Sequence, residues 1–205
     1  MLENASMRLH GSSLKTAGWL IFAFSLQFSI VMIIAESIYP GYSVSSNYIS
    51  DLGVGPTALL FDTSISVLGV AVIFAAYFMY RGFSSKLFSV LTALTGVGAL
   101  SVGIFNESFA TIHSLVSLET FVTGSLTAII AYRFQKSPLS YFSVVLGIFS
   151  MGAIVISIAF RSGLGLGVGG IERMIVYPFL LWGIGFGGYL IGLAPDISSS
   201  GKENA

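Results

Sequence analysis

Cysteine is absent from the 205 residues, which excludes disulfides, thiolate metal centres and a cysteine nucleophile. Charge is scarce as well. Lys, Arg, Asp and Glu together make up 9% of the chain, against about 25% in ordinary soluble domains. The nine basic and nine acidic side chains cancel, so the basic face that nucleic-acid binding requires is missing. Histidine occurs only as His10 and His113. What is abundant is apolar: 55% of residues are hydrophobic, 17 are Phe, and the mean hydropathy is +0.90. Disorder and a disulfide framework are excluded by the same figures. A multi-pass protein of the cell membrane remains, with membrane lipids as its expected surroundings and partners. A second copy of the chain or another membrane subunit is compatible with it.

A helix needs about 20 largely apolar residues to cross roughly 30 Å of hydrocarbon. Six such stretches are present, near residues 14–36, 57–80, 87–105, 109–132, 139–160 and 173–194. They are continuous rather than alternating, which selects helices over a β-barrel. The expected fold is therefore an all-α bundle of six transmembrane helices forming one domain over residues 1–194, with a polar, Ser-rich tail at 195–205. The first stretch reads as an uncleaved anchor, because its apolar run is long and no small-residue cleavage site follows it.

Basic residues set the expected orientation. Arg8, Lys15, Arg81, Lys86, Arg133, Lys136 and Lys202 fall on one side of a six-span serpentine, and only Arg161 and Arg173 on the other. The positive-inside rule then puts both termini in the cytoplasm. His10 and His113 lie on opposite sides of the membrane in this arrangement. A bis-histidine haem or a multi-histidine zinc site within one chain is thereby excluded.

The acids follow a different pattern. Glu36, Asp51, Asp62, Glu107, Glu119 and Glu172 lie toward the outer side or within the spans, a bias that the positive-inside rule does not produce. At about 1.5 Å of rise per residue, Asp62 and His113 lie roughly 6–8 Å below the outer surface, and Glu119 near mid-membrane. An ionisable group at that depth is a candidate for function, or a neutral carboxylic acid joining two helices. His113, Ser117, Thr120 and Gly124 form one stripe of the fourth helix, and Asp62, Ser66 and Gly69 a similar stripe of the second. Glu119 is about 120° round its helix from His113, so the two face different neighbours. One histidine beside carboxylates is the makeup of an acid–base site, and no cofactor or metal is expected beyond the set that His113 could form with Asp51, Asp62 or Glu107.

Two outer segments stand out. In the first, Asn47-Tyr-Ile-Ser-Asp51-Leu-Gly-Val-Gly-Pro56, Ser50 or Asp51 is placed to cap a short helix before the second span. The second, Gly163-Leu-Gly-Leu-Gly-Val-Gly-Gly170, has no preceding strand and no Gly-Lys-Ser/Thr ending, so it is not a nucleotide loop. It reads as a flexible lid, with Glu172 and Arg173 beyond it either paired to each other or facing an anionic headgroup. In the sixth span the missing N–H of Pro178 predicts a kink, and Gly183-x-x-x-Gly187 and Gly188-x-x-x-Gly192 read as packing motifs.

The segment Asn47–Phe61 resembles the opening motif of the domain-of-unknown-function 998 family of microbial six-helix membrane proteins, and is similar to that of the Frag/DRAM/Sfk-type membrane proteins. Gly103-Ile-Phe-Asn106 followed by Ile112-His113-Ser114 is similar to a second motif of theirs. The resemblance implies a polytopic protein with an outward polar site, in families whose members include factors of lipid-anchor remodelling and autophagy. It falls on Ser50, Asp51, Gly53, Phe61, Asn106 and His113. Asp62 departs from the pattern, in which Asn is usual, and no substrate comes with the likeness.

The leading expectation is an outward-facing polar pocket that binds or processes a lipid headgroup or lipid-linked group. Asp51 and His113 would act as acid–base or orienting residues, supported by Asp62 and Glu119. Ser50, Asn106, Glu107, Arg161, Glu172 and Arg173 would contact the ligand. A non-catalytic scaffold or accessory subunit is the alternative. A small-solute or proton-coupled transporter using Glu119 is a third, disfavoured by the few polar residues in the cytoplasmic halves of the spans.

Overall fold

The computed structural model describes the backbone of residues 2–160 and 163–193, and side chains over 11–160 and 164–193. Arg161 and the tail at 195–205 lie outside the described residues. Six long helices are α1 (Leu2–Ile38), α2 (Ala58–Phe83), α3 (Lys86–Ile104), α4 (Ala110–Ile130), α5 (Leu139–Ala159) and α6 (Gly167–Leu193). Each contains a stretch long and apolar enough to cross a membrane. Single 3-10 turns at Ser50–Gly53, Glu107–Phe109, Ala131–Phe134 and Gly163–Gly165 join or precede them.

Consecutive helices pack side by side, and α6 closes the ring against α1. The outside of this ring is apolar: Ile33, Leu59, Phe74, Leu115, Phe149 and Ile158 are among its exposed side chains. Lipid tails compete with such residues as well as any core does, so the helices are held by close backbone approach and by hydrogen bonds. Gly18 and Gly187 make the α1–α6 seam, where a Cβ on Gly187 would lie 2.6 Å from Phe22 N. Gly69 and Gly96 make the α2–α3 seam, each facing the other helix's backbone.

The sixth helix shows what glycine spacing leaves open. Gly183 and Gly187 face α1, whereas a Cβ on Gly188 would find only Phe22 at 3.9 Å and one on Gly192 would meet nothing. Of two equally good small-residue motifs, one packs. Pro178 lies inside the helix, and Ser150 of α5 donates to the Ile175 carbonyl at 2.8 Å, beside the ladder that proline thins. Below it, Phe179, Trp182 and Phe186 stack in sequence, with centroids 5.8 and 5.1 Å apart. Trp182 Nε1 is satisfied by Ser143 Oγ at 3.1 Å.

The glycine-rich stretch is not a lid. Gly167 to Gly170 form the first turn of α6, which therefore starts at Gly167 rather than near Arg173. The turn is docked: Gly169 N donates to Ser45 O at 3.0 Å, and side chains there would strike the carbonyls of Ser45, Val44 and Asn47. Glycine serves here for close approach between two backbones.

Candidate functional site

Two connections, 39–57 and 105–109, meet at one end of the bundle. An arginine locks the first of them to α1 and α6. Arg173, 2% exposed, donates through Nη1 to Val44 O at 2.8 Å, Gly169 O at 2.9 Å and Asn47 O at 3.3 Å. Through Nη2 it reaches Tyr42 Oη at 2.7 Å and Glu36 Oε1 at 2.5 Å. Tyr42 passes the connection on, donating to Tyr48 O at 2.8 Å. Burial pushes the Tyr42 phenol up to about 12, with the Arg173 guanidinium pulling the other way, so the hydroxyl keeps the proton that it donates. Arg173 thus pairs with Glu36 and not with its neighbour Glu172, and both Nη groups are spent on the protein itself, while Nε is buried without a partner. Any of several acids near this end could have been its partner, and sequence reasoning did not single out Glu36.

Glu172 turns the other way and accepts a hydrogen bond from Ile49 N. That bond holds Ile49 and Ser50 as the roof of an internal cavity of about 60 Å³, bordered by α1, α2, α3, α4 and α6. His113, Ser117, Thr120 and Glu172 reach its wall, and most of the remainder is apolar, including Phe28, Phe61, Leu68 and Phe121. The stripe read from α4's periodicity therefore faces this space through its first three members, while Gly124 gives way to Phe179 of α6.

His113 is oriented by its other nitrogen. Nδ1 lies 2.9 Å from Phe105 O, and a carbonyl only accepts, so Nδ1 carries a hydrogen, and in the neutral ring Nε2 presents a lone pair. Ser117 Oγ lies 3.3 Å from that Nε2. The next residue, Asn106, joins the second acid to this group: its Nδ2 donates to Asp62 Oδ2 at 3.1 Å, and its Oδ1 accepts from Ser108 N at 3.2 Å. Asp62 and His113 are near enough to interact electrostatically. Asp62 Oδ1 is buried with no hydrogen-bond partner, in a space that exists because residue 53 is glycine.

Asp51 stands apart from the cavity, at the rim. Its Oδ2 accepts from Asn47 Nδ2 at 2.8 Å and from Tyr48 N at 3.0 Å, and Glu107 lies within hydrogen-bonding reach of it. It holds the loop and does not cap the Ser50–Gly53 turn, whose N-cap is Ile49. Glu119 is separate again, with its carboxyl against Gly98 of α3. The candidate residues thus divide into a cavity group (Ser50, His113, Glu172), an adjoining Asp62–Asn106 pair, a rim pair (Asp51, Glu107), the Arg173 clamp and an isolated Glu119. Ser117 and Thr120 join the first group, a placement that helical spacing had already suggested. No three His, Asp or Glu side chains converge as a metal site among the described residues.

Residues 15–188 match the family model described as a protein of unknown function (DUF998). No curated protein and no solved structure matches the chain.

Proposed function

The chain belongs to the DUF998 family, and within that family we propose that it binds an amphiphilic lipid with the polar part beside His113 and the apolar part in the bundle. One observation carries this reading: a small cavity among helices long and apolar enough to cross a membrane has hydrogen-bonding groups along its α4 side and beneath Ser50, and apolar walls elsewhere. A ligand matched to it is polar at one end only. His113 Nε2 offers an acceptor, which favours a hydroxyl or ammonium group over a bare anion. In a reaction, the same lone pair would accept a proton from that group, with the Phe105 carbonyl fixing the ring. At about 60 Å³ the cavity has room for a few water molecules or a chain tip. A lipid would gain access by displacing the Ile49–Ser50 roof. The distribution of basic residues supports cytoplasmic termini, with this end of the bundle facing outward.

The test is native mass spectrometry of the protein released from lipid nanodiscs. Retained lipid is expected on the wild type and lost from His113→Ala and from Ser117→Leu, which fills the wall, with thermal stability unchanged. Equal lipid retention in all three would refute the reading.

A non-catalytic scaffold is the second reading, and one feature favours it. The hydroxyls of Thr92, Thr120, Thr123 and Thr127 donate to carbonyls of their own helices, and Thr95 donates across to Thr123. These side chains are satisfied without any ligand.

A further inference from the structure

Glu119 belongs to none of the groups around the cavity. It lies twelve residues beyond Glu107 in the stretch Glu107–Phe134, about 18 Å along the helix at 1.5 Å per residue, and so near mid-membrane. Its carboxyl occupies a slot in α3: a Cβ on Gly98 would run into Glu119 Oε2 and Thr120 Oγ1. Oε1 is buried and has no hydrogen-bond partner. The side chain is nonetheless partly exposed, on a face where Leu94, Val97, Leu115 and Leu118 point outward from the bundle.

No cation answers this carboxyl among the described residues. From α3 the only ionisable side chain is Lys86, at the far end of the helix. From α5 it is Tyr141. His113, on α4 itself, is turned to Phe105 O and Ser117. On α6, Arg173 is engaged with Glu36 and Glu172 with Ile49 N, while Tyr177 lies on the α1 side, packed with the Phe28–Leu180 cluster. An unpaired carboxylate in hydrocarbon is among the most unfavourable states open to a side chain, and taking up a proton removes that cost. The neighbouring hydroxyls spend their hydrogens on backbone carbonyls and not on the carboxyl: Thr123 Oγ1 donates to the main-chain carbonyl of Glu119 at 2.8 Å and Thr120 Oγ1 to Val116 O at 2.6 Å.

We propose that the Gly98 slot between α3 and α4 is a proton-binding site, in which Glu119 holds a proton at mid-membrane and is reached from the lipid side. Thr120 borders both the slot and the cavity, but the carboxyl that takes up and releases the proton does not line the cavity, so the site stands whether or not a lipid binds there.

A hydrophobic carbodiimide is the probe. The carboxyl proton passes to a carbodiimide nitrogen as the carboxylate oxygen bonds to the central carbon, and rearrangement leaves a stable N-acylurea. With the full chain in phosphatidylcholine nanodiscs, dicyclohexylcarbodiimide is expected to label Glu119, mapped by peptide mass spectrometry. Labelling should fall as the pH is raised and should be absent with a water-soluble carbodiimide. Glu119→Gln should lose the adduct, and Gly98→Ala, which expels the carboxyl from its slot, should change the labelling rate several-fold. The proposal is overturned if Glu119 is unlabelled in nanodiscs but labelled after unfolding in SDS, or if the water-soluble reagent labels it equally. Protection by sodium but not by choline chloride would also overturn it, assigning the slot to a metal cation instead.

Discussion

Replacing Glu36 by Gln tests the clamp that closes the loop end. The guanidinium side chain of Arg173 is 3% exposed and the carboxylate of Glu36 15%. Removing one partner of a buried ion pair costs about 3–5 kcal/mol, because the surviving charge is left uncompensated. Gln keeps the shape and one acceptor oxygen, so the bond to Nη2 falls from an ion pair to a hydrogen bond between a charged donor and a neutral acceptor, and is not lost. Arg173 also retains Tyr42 and three carbonyls. The expected loss is therefore about 2–3 kcal/mol, below the range for an unrelieved charge. Arg173→Met should cost more, since it strands the Glu36 carboxylate and the carbonyls of Val44 and Asn47 together. The double variant Glu36→Leu/Arg173→Met should recover part of that loss, as only the carbonyls remain unanswered. Unfolding by SDS titration, followed by tryptophan fluorescence, gives these differences. Hydrogen exchange at residues 44–50 locates them, with faster exchange expected there first. A Glu36→Gln protein within about 0.5 kcal/mol of wild type, with unchanged exchange in that segment, would refute the role given to the pair.

Gly187→Ala is expected to destabilise by about 1–3 kcal/mol, since its Cβ meets backbone atoms of α1 and the seam must open. Gly192→Ala, with open space around it, should change thermal stability by no more than about 0.5 kcal/mol, and equal effects in the two would count against the helix packing. Gly69→Ala should behave like Gly187→Ala, because its Cβ would meet the backbone of Leu100 and Gly96 O. Tyr42→Phe removes the bridge between Arg173 and Tyr48 O, at an expected cost of about 1 kcal/mol by thermal or SDS unfolding. Because the Tyr42 value lies above its ordinary 10.0, the contribution is fully present below pH 10 and lost as the pH rises toward about 12. Tyr42→Phe should flatten that alkaline loss, leaving the part due to Tyr48, whose phenol burial and nearby carboxylates also raise.

Individual side chains show how far local pattern reaches. His113, Ser117 and Thr120 recur at helical spacing and do line one cavity, because three residues on one face of a rigid helix share a direction whatever lies opposite. Glu119, on another face of the same helix, meets α3. Local pattern offers Asp51 as a helix cap, but its bonds run back to Asn47 and Tyr48 instead of forward to a helix start. The glycine run at 163–170 misled, since glycine permits both looseness and close approach, and only the presence of Ser45 and Asn47 against it selects the second.

The amino-acid sequence by itself determined that six apolar helices form, and where, because hydropathy over about 20 residues is a local property that the bilayer reads directly. It also determined which residues share a helix face. The tertiary structure decided the rest. Arg173 answers Glu36, 137 residues away in sequence, Glu172 answers Ile49, and Gly187 lies against α1 while Gly192 does not. Each of these depends on the rotation and depth of two helices relative to each other. That relation is fixed by all the seams at once, and no single segment encodes it.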